Sequence, residues 1–270
     1  MTLFKSSLIT GGSSGIGLAL AKQLIQQGGN VCLLARDQSK LNKAKQNLIP
    51  LIDQQDQQID ILSCDIADFG VVSDALKTWM DKRGTPDLVI NSAGITYPGY
   101  FQDLDIEIYH QLMSINYFGT VHVLKTIIPR MMEKKAGTVV NISSQAGFIG
   151  VFGYAGYGAS KYAVRGFTDV LRAEMKPHGI NVHIVFPPDT DTPQLAFEEP
   201  LKPPETKAIA GNAKVVSAEL VASETMSGLE KGSYVIIPGL EGKIFYRLVN
   251  IAGNLTYPIM DWIVRKAQKQ

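Results

Sequence analysis

The sequence predicts one α/β domain: a doubly wound parallel sheet of about seven strands with helices on both faces. Three observations carry that prediction. Short apolar runs alternate along the chain with longer stretches of helical periodicity. The runs are continuously apolar rather than alternating, as strands buried on both faces are. A glycine-rich turn also stands between the first such run and the first helical stretch, where sheets of this kind surround their ligand.

Taken in order, the strand candidates are SSLIT (6–10), NVCLLA (30–35), IDILSCDI (59–66), PDLVIN (86–91), GTVVNIS (137–143), INVHIVFP (180–187) and YVIIPG (234–239). Between them run helical patterns such as GLALAKQLIQQ (17–27), SKLNKAKQNLIPLI (39–52) and VVSDALKTWMDK (71–82). Right-handed β-α-β crossovers join such elements into a Rossmann-type sheet. One unbroken series argues for a single domain over 1–240, with 241–270 as its helical tail. The Pro-rich stretch PPDTDTPQLAFEEPLKPPET (187–206) reads as a mobile surface loop at the ligand end.

Composition excludes several classes. Hydrophobic residues make up 45% and charged residues 19%, an ordinary globular balance. A net charge of +1 gives no general attraction to nucleic acid. Cys32 and Cys64 both fall in apolar runs, which predicts reduced, buried, structural thiols. His110, His122, His178 and His183 show no metal-ligand spacing, so no metal is expected. No segment reaches the ~20 apolar residues of a membrane span, and the amino terminus lacks signal-peptide character. A cytoplasmic protein is the expectation.

The turn TGGSSGIG (10–17) carries glycines at 11, 15 and 17 that let the backbone approach a pyrophosphate at a helix N-terminus. At the end of the second strand an acidic residue would hold a ribose 2′-hydroxyl, but Ala35 and Arg36 stand there. Arg36 can fork onto a 2′-phosphate, with Lys40 and the hydroxyls of Ser13 or Ser14 in support, which favours NADPH over NADH. Asp37 is the dissenting residue.

In GYAGYGASKYAV (153–164) three tyrosines compete for a chemical role. Only Tyr157 has a lysine four residues on, Lys161; Tyr154 has Gly158 and Tyr162 has Gly166. On a helix, that places an ammonium beside the Tyr157 hydroxyl, where it would lower the phenol pKa and suit it to proton transfer.

TGGSSGIG, CDI (64–66), NSAG (91–94), Asn116 in SINYFGT, NISS (141–144) and YGASK (157–161) occur in this order. Together they resemble the short-chain dehydrogenase/reductase family over nearly the whole chain. The resemblance implies a catalytic tetrad of Asn116, Ser144, Tyr157 and Lys161, with Ser143 the less favoured serine. Ser144 would hold the substrate carbonyl, Tyr157 would act as general acid, and Asn116 would hold a helix kink. It further implies that Ile16 belongs to the cofactor turn, that Asp65 and Ile66 meet the adenine, and that Asn91, Ala93 and Gly94 border the ribose and sheet. Pro187, Thr190 and Thr192 would hold the nicotinamide carboxamide, although Pro188 stands where the family commonly has glycine. Gln145 and Tyr154 are candidate substrate contacts beside Ser144.

PPDTDTP (187–193) and KPPET (202–206) narrow the resemblance to the reductases of 3-ketodihydrosphingosine in sphingolipid synthesis. That implies NADPH-dependent reduction of a ketone on a long-chain lipid. The alternatives are a β-ketoacyl thioester or steroid-like ketone as substrate, or a nucleotide-binding regulator without turnover. The family also implies a homodimer or homotetramer.

The tail, 241–270, carries Lys243, Arg247, Arg265, Lys266 and Lys269 against Glu241 and Asp261. Phe245, Leu248, Ala252 and Leu255 fall at helical spacing, and Pro258 is expected to break the pattern before Trp262 and Ile263. Two readings stand: a helical pair docked on the domain or across a dimer interface, or an anchor at a membrane surface.

Overall fold

A computed structural model of the protein describes residues 3–211 and 214–268. The strands are β1 (Ser6–Thr10), β2 (Asn30–Ala35), β3 (Ile59–Ser63), β4 (Leu88–Asn91), β5 (Gly137–Ile142), β6 (Ile180–Val185), β7 (Thr190–Asp191), β8 (Val216–Ser217) and β9 (Val235–Ile236). Seven of them form one sheet in the order β3-β2-β1-β4-β5-β6-β9. Every pairing in it is parallel. The order reverses between β1 and β4, which leaves a crevice at the carboxyl ends of those strands. All seven predicted strands are in this sheet; the short pair β7–β8 beside it was not foreseen.

The helices are α1 (Gly15–Gln26), α2 (Gln38–Leu48), α3 (Phe69–Arg83), α4 (Ile106–Leu112), α5 (Gly119–Lys134), α6 (Ala155–Met175), α7 (Pro193–Glu198), α8 (Pro204–Ala210), α9 (Ala218–Glu230), α10 (Leu240–Ala252) and α11 (Thr256–Ala267). Successive strand residues point to opposite faces, and here both faces are covered. Ile9, Val31, Leu33 and Val140 pack under α1, α2 and α9. Leu8, Cys32, Leu34 and Val139 pack under α3, α5 and α6. That two-sided burial is why the strands read as continuous apolar runs.

Local chemistry sets the helix starts. Asp37 caps α2 by accepting from the Lys40 N–H, and Asp68 caps α3 by accepting from the Val71 N–H. Cys32 and Cys64 are free and buried, and burial keeps both thiols protonated, Cys64 at about 11.

Two expectations need correction. Residues 187–206 are not a loose surface loop: they fold into β7, α7 and the start of α8, with Thr190, Glu198, Lys202 and Thr206 buried. Pro193 and Pro204 each stand at the start of a helix, where a missing N–H costs nothing. Pro258 likewise falls in the first turn of α11 and starts that helix rather than breaking one.

The tail packs on the domain through one face. Tyr246, Val249 and Met260 lie against Phe148, Phe186 and Ile237, and the Tyr246 ring stacks on Phe186 at 5.9 Å. Lys243 adds an ion pair to Glu224 of α9 at 2.6 Å. Leu240, Ile244, Leu248 and Ile251, spaced along the other face of α10, are exposed, as is Trp262 of α11. Lys269 lies outside the described residues. No helix among the described residues is long and apolar enough to cross a membrane.

Candidate active site

The glycine turn leaves β1 and enters α1 at the sheet's crevice. Gly11 has φ 68°, and a Cβ there would lie 2.8 Å from the Ala93 nitrogen. A Cβ on Gly17 would lie 2.5 Å from the Gly11 carbonyl oxygen. The turn is therefore a bare backbone cradle ending at a helix N-terminus, as a pyrophosphate requires. Ser14 precedes α1 with its hydroxyl uncommitted to the helix and exposed; Ser13 and Ile16 are half-buried beside it. The residues present fit a dinucleotide.

At the end of β2, Arg36 is exposed and its guanidinium stands 3.8 Å from Asp65. Lys40 is exposed one turn into α2. The dissenting Asp37 is spent on capping α2, which removes it from the ribose. Ile66 departs from expectation: its side chain is buried against Gly119 of α5, so only its backbone is left for an adenine. Asp65 is half-buried and accepts from the Ala67 N–H at 3.0 Å.

Sequence reasoning missed Thr10. Its hydroxyl accepts from the N–H groups of Ser92 and Ala93, both at 3.1 Å, and so ties the NSAG segment to β1. Asn91 is buried and donates to Asn141 at 2.8 Å, bridging β4 and β5. A Cβ on Gly94 would lie 3.2 Å from the Asn116 amide oxygen and 3.4 Å from the Lys161 Nζ.

The four tetrad residues converge at the carboxyl end of the sheet. Asn116 sits in a π-helical turn, 113–118, between α4 and α5. Such turns re-aim side chains and recur at functional sites. Its amide accepts from the Ile95 N–H at 2.8 Å and donates to the Ile95 carbonyl at 3.0 Å and to Ser160 at 2.9 Å. Tyr157 and Lys161 lie one turn apart on α6, both buried. The Lys161 ammonium donates to the Ile142 carbonyl at 3.1 Å and stands 5.7 Å from the centre of the Tyr157 ring. Burial pulls its pKa down to about 8.

Ser144, just past β5, accepts from the Ala146 N–H at 3.2 Å and stands close enough to the Tyr157 phenol to hold its pKa down. Ser143 is buried and donates to the Lys161 carbonyl at 3.0 Å, which commits its hydroxyl to the backbone of α6. Gln194 of α7, which the sequence did not single out, also stands close enough to the Tyr157 phenol to hold its pKa down.

The expectation that an ammonium lowers the Tyr157 pKa is not met in the free protein. Burial drives the phenol well above its ordinary value, Ser144 and Gln194 lower it, and Glu198 and Asp189 raise it. Lys161 is itself desolvated and tied to a backbone carbonyl, which limits its influence.

The far wall comes from 187–198. The Pro187 carbonyl accepts from the Gln145 N–H at 3.1 Å. Thr190 is buried and donates to the Pro188 carbonyl. Thr192 caps α7, and its methyl lies against Gly15. The Gln145 side chain lies close to Gly242 of the tail. Tyr154 is buried, packs 5.7 Å from the Tyr157 ring and donates to Glu198 at 3.0 Å. A depression of about 260 Å³ bounded by Ser6, Asn30, Asp60 and Arg83 lies at the amino ends of β1 and β2, remote from this chemistry.

Comparison with known proteins agrees with this geometry. The family model described as short chain dehydrogenase matches residues 5–200. A bovine 3-ketodihydrosphingosine reductase is 38% identical over 236 residues, 87% of this chain and 71% of its own. A zebrafish (Danio rerio) 3-dehydrosphinganine reductase is 37% identical over the same shares. Among solved structures, a short-chain dehydrogenase from Sphingobium yanoikuyae in complex with NADPH superposes with a TM-score of 0.78 at 25% identity. It covers 94% of this chain and 95% of its own. With its glycine cradle, its converging tetrad and a family match over residues 5–200, the chain belongs to the short-chain dehydrogenase family.

Proposed function

We propose that the protein reduces 3-ketodihydrosphingosine to dihydrosphingosine with NADPH. The observation that carries this is the 38% identity to the bovine 3-ketodihydrosphingosine reductase, over a chain whose tetrad residues converge. A relative from Dictyostelium discoideum that is 37% identical has the same printed name.

NADPH supplies the hydride to the ketone carbon. Gly11, Ser13, Ser14, Gly15, Ile16 and Gly17 would hold its pyrophosphate, and Arg36 with Lys40 its 2′-phosphate. Asp65, Asn91, Ala93 and Gly94 would border the adenosine side, while Pro187, Thr190 and Thr192 would border the nicotinamide. Ser144 donates to the ketone oxygen and fixes its place. Tyr157 gives that oxygen its proton as charge develops on it. Lys161 stabilises the phenolate left behind, and Asn116, bonded to Ser160 next to it on α6, holds the place of Lys161.

The exposed apolar row of Leu240, Ile244, Leu248 and Ile251, with Lys243 and Arg247 beside it, supports a peripheral membrane contact, which a lipid substrate would use. A second copy of the chain is the other surface that could cover this row, giving the dimer or tetramer expected of the family.

NADPH oxidation in mixed micelles tests the reading. Turnover of 3-ketodihydrosphingosine but not of a short β-ketoacyl thioester is expected. Turnover of the thioester alone would overturn the lipid reading and leave the fold and tetrad standing. For the surface, Leu248→Glu with Ile251→Glu should abolish flotation with anionic vesicles, and unchanged flotation would exclude the contact.

A further inference from the structure

Glu198 is a buried carboxylate next to the reacting phenol. Its side chain is 8% exposed, and it stands at the end of α7 with Tyr154 donating to it at 3.0 Å. Burying a carboxylate is costly unless its charge is met. The nearby cation does not meet it fully. Lys202, also buried, makes its shortest contact with Glu199 at 2.8 Å and stands 3.5 Å from Glu198 and 3.8 Å from Asp189. Three carboxylates thus share one buried ammonium, and Lys207, which acts on Glu199, brings the balance only to three against two.

A second observation points the same way. The Thr96 hydroxyl is buried without a hydrogen-bond partner. Burial raises the Glu198 pKa, and the Thr96 hydroxyl, which faces that carboxyl without a well-formed hydrogen bond, works against the rise. A donor and a surplus negative charge therefore converge on one spot, reached through Tyr154 from the Tyr157 ring 5.7 Å away.

This inference rests on the proposed substrate. 3-Ketodihydrosphingosine carries an amino group on the carbon next to its ketone. An ammonium there must travel with the carbonyl to the neighbourhood of Tyr157. We propose that Glu198 receives that ammonium and selects an amino ketone over a plain ketone, with Tyr154 and Thr96 as its positioning residues.

The same charge has a kinetic consequence. Glu198 and Asp189 oppose formation of the Tyr157 phenolate. A cation bound at Glu198 offsets that field at the moment the phenol gives up its proton. The amine then contributes to kcat and not only to KM, because the interaction strengthens as the phenolate forms.

The test compares kcat/KM for 3-ketodihydrosphingosine and its analogue with hydrogen in place of the amine, in the wild-type enzyme and in Glu198→Gln. Glutamine keeps an acceptor for Tyr154 and removes the charge. The wild-type enzyme should prefer the amino ketone by roughly tenfold to a hundredfold, the range of a charge-assisted hydrogen bond, part of it in kcat. Glu198→Gln should bring the ratio close to one. Equal rates on both ketones in the wild-type enzyme would overturn the inference without any variant having to fold. A fall in both rates by the same factor in Glu198→Gln would overturn it too, making Glu198 an anchor for α7. If neither ketone turns over while NADPH still binds, the substrate reading itself fails.

Discussion

The Asn116 amide pairs with both halves of one residue's backbone: it accepts from the Ile95 N–H at 2.8 Å and donates to the Ile95 carbonyl at 3.0 Å. A buried side chain thereby ties the segment after β4 to the π-helical turn. Asn116→Ala leaves two part-buried backbone groups without that partner, which should cost about 1–3 kcal/mol in all. Asn116→Asp keeps the acceptor and loses the donor, so urea unfolding should rank it between the wild-type enzyme and Asn116→Ala.

Tyr157→Phe removes the phenol that stands beside Ser144. Ketone reduction should fall about a hundredfold or more, as expected for loss of a general acid. NADPH binding, followed by fluorescence, should change by far less. Parallel losses in both would mean that the phenol holds the cofactor rather than the proton.

The neighbouring serines should separate cleanly. Ser144→Ala should lower kcat strongly with little change in stability. Ser143→Ala removes the bond to the Lys161 carbonyl and should cost about 1 kcal/mol of stability, with a smaller kinetic effect. Thermal melts and initial rates on the two variants decide this; the reverse pattern would exchange the roles.

Lys161 predicts a pH dependence of stability. Its pKa falls from the ordinary 10.5 to about 8 on burial. Between those values the unfolded chain holds a proton that the folded chain has lost. Its contribution to the unfolding free energy therefore rises with pH across that window. Urea midpoints for the wild-type enzyme minus those for Lys161→Met should climb from pH 8 to 10.5. A flat or falling difference would show that the lysine is not desolvated.

Arg36 and Asp37 are adjacent and should behave oppositely. Arg36→Glu should raise the KM for NADPH roughly tenfold to a hundredfold and improve the use of NADH. Asp37→Ala should leave cofactor choice alone and cost about 1 kcal/mol through the lost cap on α2. A shift in cofactor choice from Asp37→Ala would return that residue to the ribose.

Much of this was legible in the chain because it is local. Each parallel strand is a run of residues buried on both faces, and the glycine turn needs only its neighbours in sequence. Tyr157 and Lys161 share a helical turn, so their spacing announced them. What was hidden depends on distant partners. Thr10 acts on Ser92 and Ala93, Ser143 on Lys161, and Glu198 on Tyr154, and nothing in the sequence around each of them names its partner. The fold of 187–206 was missed for another reason: a Pro-rich composition reads as loop, although Pro193 and Pro204 open helices. The Tyr157 pKa went the other way because burial, which spacing cannot report, outweighs the nearby ammonium.

The contact between Gly15 and Thr192 sets a schedule for synthesis. The glycine turn leaves the ribosome well before the threonine that closes against it, which comes after six of the seven sheet strands. Domains fold as units once their distant pairings are available. A nascent chain stalled before residue 192 thus has the cradle without its far wall, and nucleotide affinity arrives late in translation. The tail comes later still, and until it docks, Phe148, Phe186 and Ile237 lack their cover. Tyr157 and Lys161 are thus synthesised before the helices that cover that aromatic patch.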